Sequence, residues 1–291
     1  MNPLFVSVSP HIRSEKTIRH VMLDVLFALL PSVIAGVIFF GKDSLLIVST
    51  SVLFCCLTEI VFEKIAKRKN TINDLSAVVT GIIFSLTLPA SAPLWIVACG
   101  AVFAILIGKQ FFGGIGHNPF NPALIARAFV QLSWSKEIAG IPASLEITKF
   151  NMFLGNMPGA LGEVSKIAII AGALYLIFRR QITLHAPLSL VVTVVLLSIV
   201  TRNNPLFQVL TGGLLLGAVF MATDPVTTPV SGNGKIIFGI GCGLLTMLIR
   251  LKGAFPEGIY YSILIMNMFT PVIDKVTRKK GLGSDEFKNT Y

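Results

Sequence analysis

Apolar positions along this chain come in long unbroken runs separated by short polar stretches, with no sustained alternation of the strand type. The runs are Val21–Phe40, Leu45–Phe62, Leu75–Leu88, Leu94–Ile107, Pro122–Trp134, Ser165–Phe178, Ala186–Val200, Leu206–Ala222, Ile236–Leu251 and Gly258–Ile273. The pattern predicts an all-α membrane protein with about ten transmembrane helices. Leu75–Leu88 opens beside Asp74 and stops at Pro89, short of the roughly 20 residues a full span needs, which predicts a half-helix meeting irregular backbone inside the protein. Residues 135–161 hold no clear run and are expected to be an outer loop or a re-entrant segment.

Composition fits this reading. Hydrophobic residues make up 54%, charged residues only 13%, and the mean hydropathy of +0.80 is far too apolar for an ordinary soluble domain. The formal net charge of +10 changes the picture only through its placement. With the ends alternating, sixteen Lys and Arg fall in the leader, in the loops after even-numbered runs and in the tail, and seven on the opposite side. Both termini are therefore expected in the cytoplasm, the chain in the inner (cytoplasmic) membrane in contact with lipid, and nucleic acid is not an expected partner. The four cysteines lie in apolar runs without CxxC spacing, as small buried hydrophobes and not metal ligands. The opening MNPLFVSVSPHIRSEK does not have the pattern of a cleaved secretory signal.

An internal repeat is visible. Thr80-Gly81 opens a segment ending in LPASAP, and Thr211-Gly212 one ending in ATDPVTTP. GAVFAILIGKQFFGG and NPALIARAF in the first half answer GCGLLTMLIRLKGAF and YSILIMNMF in the second. An odd number of spans per half predicts two inverted five-helix repeats with broken helices. The expected organisation is a leader over 1–20, a first repeat over 21–134, the outer loop over 135–161, a second repeat over 162–274 and a tail over 275–291.

The stretch most unlike its surroundings is Gly108–Ala123, GKQFFGGIGHNPFNPA. Gly113, Gly114 and Gly116 permit positive φ and close approach, while Asn118 and Asn121 offer donors and acceptors suited to a flavin's pyrimidine edge or a quinone head. The competing reading is a tight turn in which Asn121 caps a helix with Pro122 at its first position. Arg127 lies inside the fifth run, where a cation needs an acidic partner, Asp24 or Glu59, or a ligand's phosphate or carbonyl. Lys109 either faces the ligand or snorkels to the membrane surface. Asp24, Glu59 and Asp224 are candidates for an ion pathway or proton relay, with helix-end positions as the plainer account of Glu59 and Asp224. TDPVTTP at 223–229 has the residue types of a broken-helix site and of a rigid proline turn. No Ser/His/Asp set, HExxH, P-loop or dinucleotide-binding GxGxxG is present, so hydrolysis and nucleotide-driven pumping have no support. An inverted five-plus-five architecture by itself points to a small-solute channel or transporter as readily as to redox chemistry.

The motifs SPHIRSEKTIRHVMLDVLFALLP, GKQFFGGIGHNPFNPALIARAF, GNMPGALGEVSKIA and MATDPVTTPV, with the FGIGCGLLTMLIRLKGAF segment that follows, cover nearly the whole chain. They closely resemble the RnfD family of the Rnf electron-transport complex and, more distantly, the NqrB component of the sodium-pumping NADH:quinone reductase. The resemblance implies a flavin-carrying membrane component of a complex that moves electrons between ferredoxin and NAD while translocating sodium ions or protons, with the other Rnf components (RnfA, RnfB, RnfC, RnfE and RnfG) as partners. It places Asn118 and Asn121 against a non-covalent flavin, riboflavin or FMN. It also implies an FMN joined through its phosphate to a threonine of the outer loop. Here this sequence departs: GIPASLEITK puts Ser144 at that position, with Thr148 the nearest threonine, and loss of that flavin is the expected consequence.

Overall fold

The computed structural model describes residues 17–68, 71–138, 159–253 and 257–277. Regular structure among these residues is helical, and the only β-type pairing is an isolated bridge between Pro89 and Ala160. In chain order the helices are α1 (Ile18–Phe40), α2 (Lys42–Ile65), α3 (Ser76–Leu86), α4 (Leu94–Ile105), α5 (Pro122–Ser133), α6 (Lys166–Phe178), α7 (His185–Val200), α8 (Pro205–Leu210), α9 (Leu214–Leu216), α10 (Gly232–Lys252) and α11 (Gly258–Thr277), with a single further turn, Ser135–Ile138, directly after α5. Among them α1, α2 and α10 are long and apolar enough to cross a membrane unaided. The outer faces of α1 and α2 carry exposed Phe27, Ile34, Ile38, Leu45, Leu53 and Leu57, a belt that hydrocarbon solvates at no cost.

The helices pack in the same order in the two halves of the chain. In the first, α2 lies on α3 and α4, and α4 on α5; in the second, α7 lies on α8 and α10, and α10 on α11. The halves meet where α1 crosses α6 and α5 crosses α11. Close approach depends on small residues. A side chain at Gly81 would press on the Val52 backbone of α2, and the Ser51 hydroxyl donates to the Gly81 carbonyl at 2.7 Å.

α3 is the expected half-helix. It is buried along most of its length and ends at Leu86, and the irregular segment beyond it is inside the protein, with Thr87 and Leu88 fully buried. That backbone is satisfied from the stretch linking the two halves: the Leu161 N–H donates to the Leu88 carbonyl at 2.9 Å beside the Pro89–Ala160 bridge. The end of the stretch expected as an outer loop is thus packed in the interior, with Ala160 and Leu161 buried.

The eighth apolar run is not one helix. It stops at Leu210 and resumes at Leu214, because Gly212 and Gly213 adopt φ of +62° and +66°. The Arg250 guanidinium of α10 meets the freed carbonyls, donating to Gln208 at 2.6 Å and Thr211 at 2.8 Å. Two wide π turns, Leu106–Gln110 and Gly217–Met221, end the segments that lead into the two polar loops. Such turns rotate side chains off the helical register, and the first carries Lys109 and Gln110 inward.

At the α1–α6 crossing a methyl group on Gly172 would overlap the Ala28 carbonyl and come within 2.9 Å of the Phe220 ring. Gly172→Val is expected to cost about 1–3 kcal/mol through overpacking. Ala171→Val, on the exposed face, is expected to change stability by less than about 0.5 kcal/mol. Thermal unfolding of the purified protein in one detergent compares the two, and equal melting temperatures would refute this account of the crossing.

Candidate functional site

The loop after α4 is built on positive φ. Gly114 and Gly116 sit at +102° and +88° with open space where a Cβ would stand, so they are glycines for their backbone conformation and not for close contact. The turn they make delivers Asn118 and Asn121, both buried, to the start of α5. The Asn118 amide group donates to the Phe120 carbonyl at 2.9 Å, closing the turn. The Asn121 carbonyl accepts from the Ala123 and Leu124 N–H groups at 3.0 and 3.4 Å, the expected N-cap with Pro122 at the first helical position. With the amides oriented by this network, the bonds use opposite ends of the two side chains. Asn118 keeps its carbonyl oxygen, and Asn121 keeps its NH2.

Both line a cleft whose empty volume, open mouth included, is about 840 Å³. Its walls are mainly aliphatic: Val21, Met22 and Val25 of α1, Val79 and Ile83 of α3, Leu176 of α6, and Phe220. Polar atoms enter from Lys109, Ser76, Thr80, Gln181, Thr223 and Asp224. The cleft thus joins the asparagine loop of the first half to the TDPVTTP segment of the second. Asn267 of α11 holds the two together. With its amide turned to suit its neighbours, it accepts from the Asn121 N–H at 3.3 Å and donates to the Ile263 and Thr227 carbonyls at 3.2 Å. Thr270 adds a hydroxyl bond to the Thr227 carbonyl at 2.9 Å.

The ionisable candidates separate. Lys109 does not snorkel; it is 2% exposed, and its ammonium lies 2.5 Å from both the Glu59 carboxylate and the Ser76 hydroxyl. Glu59 is likewise no helix-end residue but is fully buried within α2, accepting also from Thr71 at 2.9 Å and Gln110 at 3.2 Å, with Oε2 unpartnered. Arg127 is paired with neither Asp24 nor Glu59. It reaches Glu257, just before α11, lies 6.0 Å from the Tyr260 ring centre and does not line the cleft. Its Nε and Nη1 are buried without partners. Asp24 binds Tyr175, Arg179 and Gln181 at 3.1, 3.0 and 2.6 Å, latching α1 to the end of α6. Asp224 closes its own turn through the Val226 N–H at 3.3 Å and the Thr227 hydroxyl at 3.0 Å, and of the three acidic candidates it alone lines the cleft. Gly114 and Gly116 shape the loop but are not in the wall. Ser144 and Thr148 lie outside the described residues.

Sequence reasoning missed Glu257, Gln181 and Asn267. The repeat held the signal for the last of these, since YSILIMNMF set against NPALIARAF places Asn267 opposite Arg127.

Fold and site together define a multi-pass helical membrane protein with a polar-tipped cleft where its two halves meet. The chain belongs to the NQR2, RnfD, RnfE family, whose model matches residues 5–283. It is 40% identical to the RnfD-type component of the Na(+)-translocating ferredoxin:NAD(+) oxidoreductase complex of Acetobacterium woodii, over 98% of this chain and 97% of that protein. It is 37% identical to the proton-translocating counterpart of Clostridium ljungdahlii, over 97% of each, and 35% identical to the corresponding component of the ion-translocating oxidoreductase complex of Methanosarcina acetivorans, over 97% of this chain and 98% of that protein.

Breaking the buried pair tests its role in the wall. Lys109→Met leaves Glu59 charged and uncompensated and is expected to cost about 3–5 kcal/mol. Adding Glu59→Leu is expected to restore most of the lost thermal stability. A double variant as unstable as Lys109→Met alone would show that the pair does not act as a unit.

Proposed function

We propose that the chain is the flavin-bearing membrane component of an Rnf-type complex, coupling electron transfer between ferredoxin and NAD to translocation of sodium ions or protons. The observation that carries this reading is that Asn118 and Asn121, which both line the cleft, each leave one end of the side-chain amide uncommitted by the turn and the cap: an acceptor on Asn118 and a donor on Asn121. A flavin's pyrimidine edge presents donors and acceptors side by side, and aliphatic walls suit the faces of its ring. The bound flavin would supply reversible electron transfer at a potential tuned by its surroundings. Within the protein, Asn118 and Asn121 orient the ring edge, and the side chains of α1, α3 and α6 exclude water. Lys109 presents a fixed positive charge to negative charge developing in the cleft, and Glu59 holds that ammonium in place. Asp224 is the carboxylate available to a cation at the same wall, whereas Asp24 and Glu59 are already engaged by cationic neighbours. The relatives' names, which place them in ferredoxin:NAD(+) oxidoreductase complexes that move sodium ions or protons, support the assignment to a complex with the other Rnf components.

In this reading the halves are inverted repeats of five spans, with both termini in the cytoplasm and the cleft opening on that side. The reciprocal contacts support it. Arg127 of α5 reaches the residue before α11, and its repeat partner Asn267 of α11 reaches the residue before α5.

The test separates capping from ligand binding. Aspartate caps helices as well as asparagine does, so Asn121→Asp keeps α5 while replacing the amide donor by an acceptor. It is expected to lower non-covalent flavin affinity by at least about tenfold, or 1.4 kcal/mol, in protein that is otherwise folded. Asn118→Leu is expected to deplete flavin likewise. Unchanged flavin content in both variants removes the site assignment, and a colourless wild-type protein that passes solute would put a channel in place of redox function.

A further inference from the structure

Away from the cleft, unmet polar groups gather in one place. Among the described residues, Arg127 Nε and Nη1, Gln131 Oε1, Glu163 Oε1 and Tyr260 Oη are all buried without a hydrogen-bond partner. Arg127 and Gln131 stand one turn apart on α5, and the Arg127 guanidinium lies 6.0 Å from the Tyr260 ring centre. Tyr260 is 1% exposed and Arg127 2%. A side chain on Gly213 would meet Tyr260 Oη at 2.2 Å and Glu163 Oε1 at 2.9 Å, so these two oxygens face the same point. That point is where both broken helices stop. Gly213 forms the break between α8 and α9 with its φ of +66°, and a side chain on Gly162 would press on Leu86 at the end of α3 and on Leu216 of α9.

Discontinuous helices at the junction of two repeats are where transporters hold the ion they move. Of the carboxylates inside the bundle, Asp24, Glu59 and Glu257 are held in ion pairs, and Glu63 and Asp224 by hydrogen bonds from Thr71 and from Val226 and Thr227. Glu163 makes no ion pair among the described residues; Lys166 donates to its backbone carbonyl, and Arg250 to the carbonyls at the helix break. The unmet set is mixed: Arg127 only donates, an ionised Glu163 and the Gln131 oxygen only accept, and the Tyr260 hydroxyl does either. A metal ion engages acceptors alone, and the charges of Lys166, Arg250 and Arg127, which act on Glu163 together with that of Glu257, oppose it. Water meets donors and acceptors at once, and a buried water takes about two to four such partners.

We propose that bound water joins these groups and that Glu163 takes up and releases a proton there, as a protonation site on the translocation route away from the cleft. The step is a proton transfer from a hydronium ion of that water to the carboxylate, leaving neutral water and a carboxylic acid, and its reverse; no electrons change hands. It rests on the translocation part of the proposed function and not on the flavin reading of the cleft. Tyr260, whose hydroxyl faces the same point, positions the carboxyl group.

Infrared difference spectra of the purified full-length protein in detergent, recorded in light and heavy water as the pH is stepped from alkaline to acid, read the protonated-carboxyl stretch directly. A band is expected that is absent in Glu163→Gln, displaced in Tyr260→Phe and unchanged in Asp43→Asn, whose carboxylate is exposed. In vesicles holding the whole complex, Glu163→Gln is expected to keep electron transfer between ferredoxin and NAD while lowering charge translocation at least about tenfold. A spectrum indifferent to Glu163→Gln overturns the proposal. So does a Glu163 band that sodium chloride abolishes at fixed pH and potassium chloride does not, by putting sodium in place of the proton. Full translocation by the Glu163→Gln complex takes the site off the route and overturns it as well. A wild-type complex that passes electrons without moving any cation instead removes the translocation reading itself, a failure told apart from the others because the spectra require no transport.

Discussion

A helix that breaks inside an apolar body frees backbone groups that no water can reach, and the rest of this structure depends on how those groups are met. At the break between α8 and α9 the Arg250 guanidinium takes the loose carbonyls of Gln208 and Thr211. Beyond α3 the Leu88 carbonyl is taken by the Leu161 N–H from the stretch that links the two halves. At the start of α5 the Asn121 side chain takes two amide hydrogens, and Asn267 of α11 takes the Asn121 N–H itself. Apart from the Asn121 cap, which is local, each repair draws a side chain or backbone group from an element distant in sequence. At the start of α5 the repair also joins the two halves, because Asn267 belongs to the second, and the cleft there has polar residues in its lining for the same reason.

The same constraint explains why the fold commits only one end of each loop asparagine. An amide side chain has a donor end and an acceptor end, and the fold uses one of each. Asn118 commits its NH2 to the turn and Asn121 its oxygen to the cap. What remains is an acceptor on Asn118 and a donor on Asn121, two residues that both line the cleft. The turn and the cap thus leave one hydrogen-bonding end of each amide uncommitted.

Much of this was legible in the sequence, and the rest was hidden for identifiable reasons. Local turn chemistry gave the Asn121 cap, and length alone gave α3 as a half-helix, because both depend on neighbours in sequence. The break at Gly212-Gly213 was invisible to hydropathy, since glycine interrupts an apolar run without making it polar. The partners of the buried charges were misread because pairing is a long-range property: Arg127 and Glu257 stand 130 residues apart, and Glu257 sits in a short loop that no pattern marked. For Lys109 the sequence left a ligand-facing and a snorkelling position open, for want of any sign that a wide turn would rotate it onto Glu59.

The crossing of α5 and α11 gives the cleft a mechanical connection to the opposite end of the bundle. α5 begins at the cleft with Asn121 and carries Arg127 toward the far end, where it holds Glu257; α11 begins at Glu257 and carries Asn267 back to the cleft, where it holds both polar loops. Neither helix can shift along its axis without straining a buried polar contact at each end. The Arg127–Glu257 pair is an ionic contact with Arg127 fully desolvated, so the cost of separating it is high while its geometry stays narrow. The Asn121 and Thr227 backbones at the cleft and Glu257 beyond it are thus tied to the same two helices.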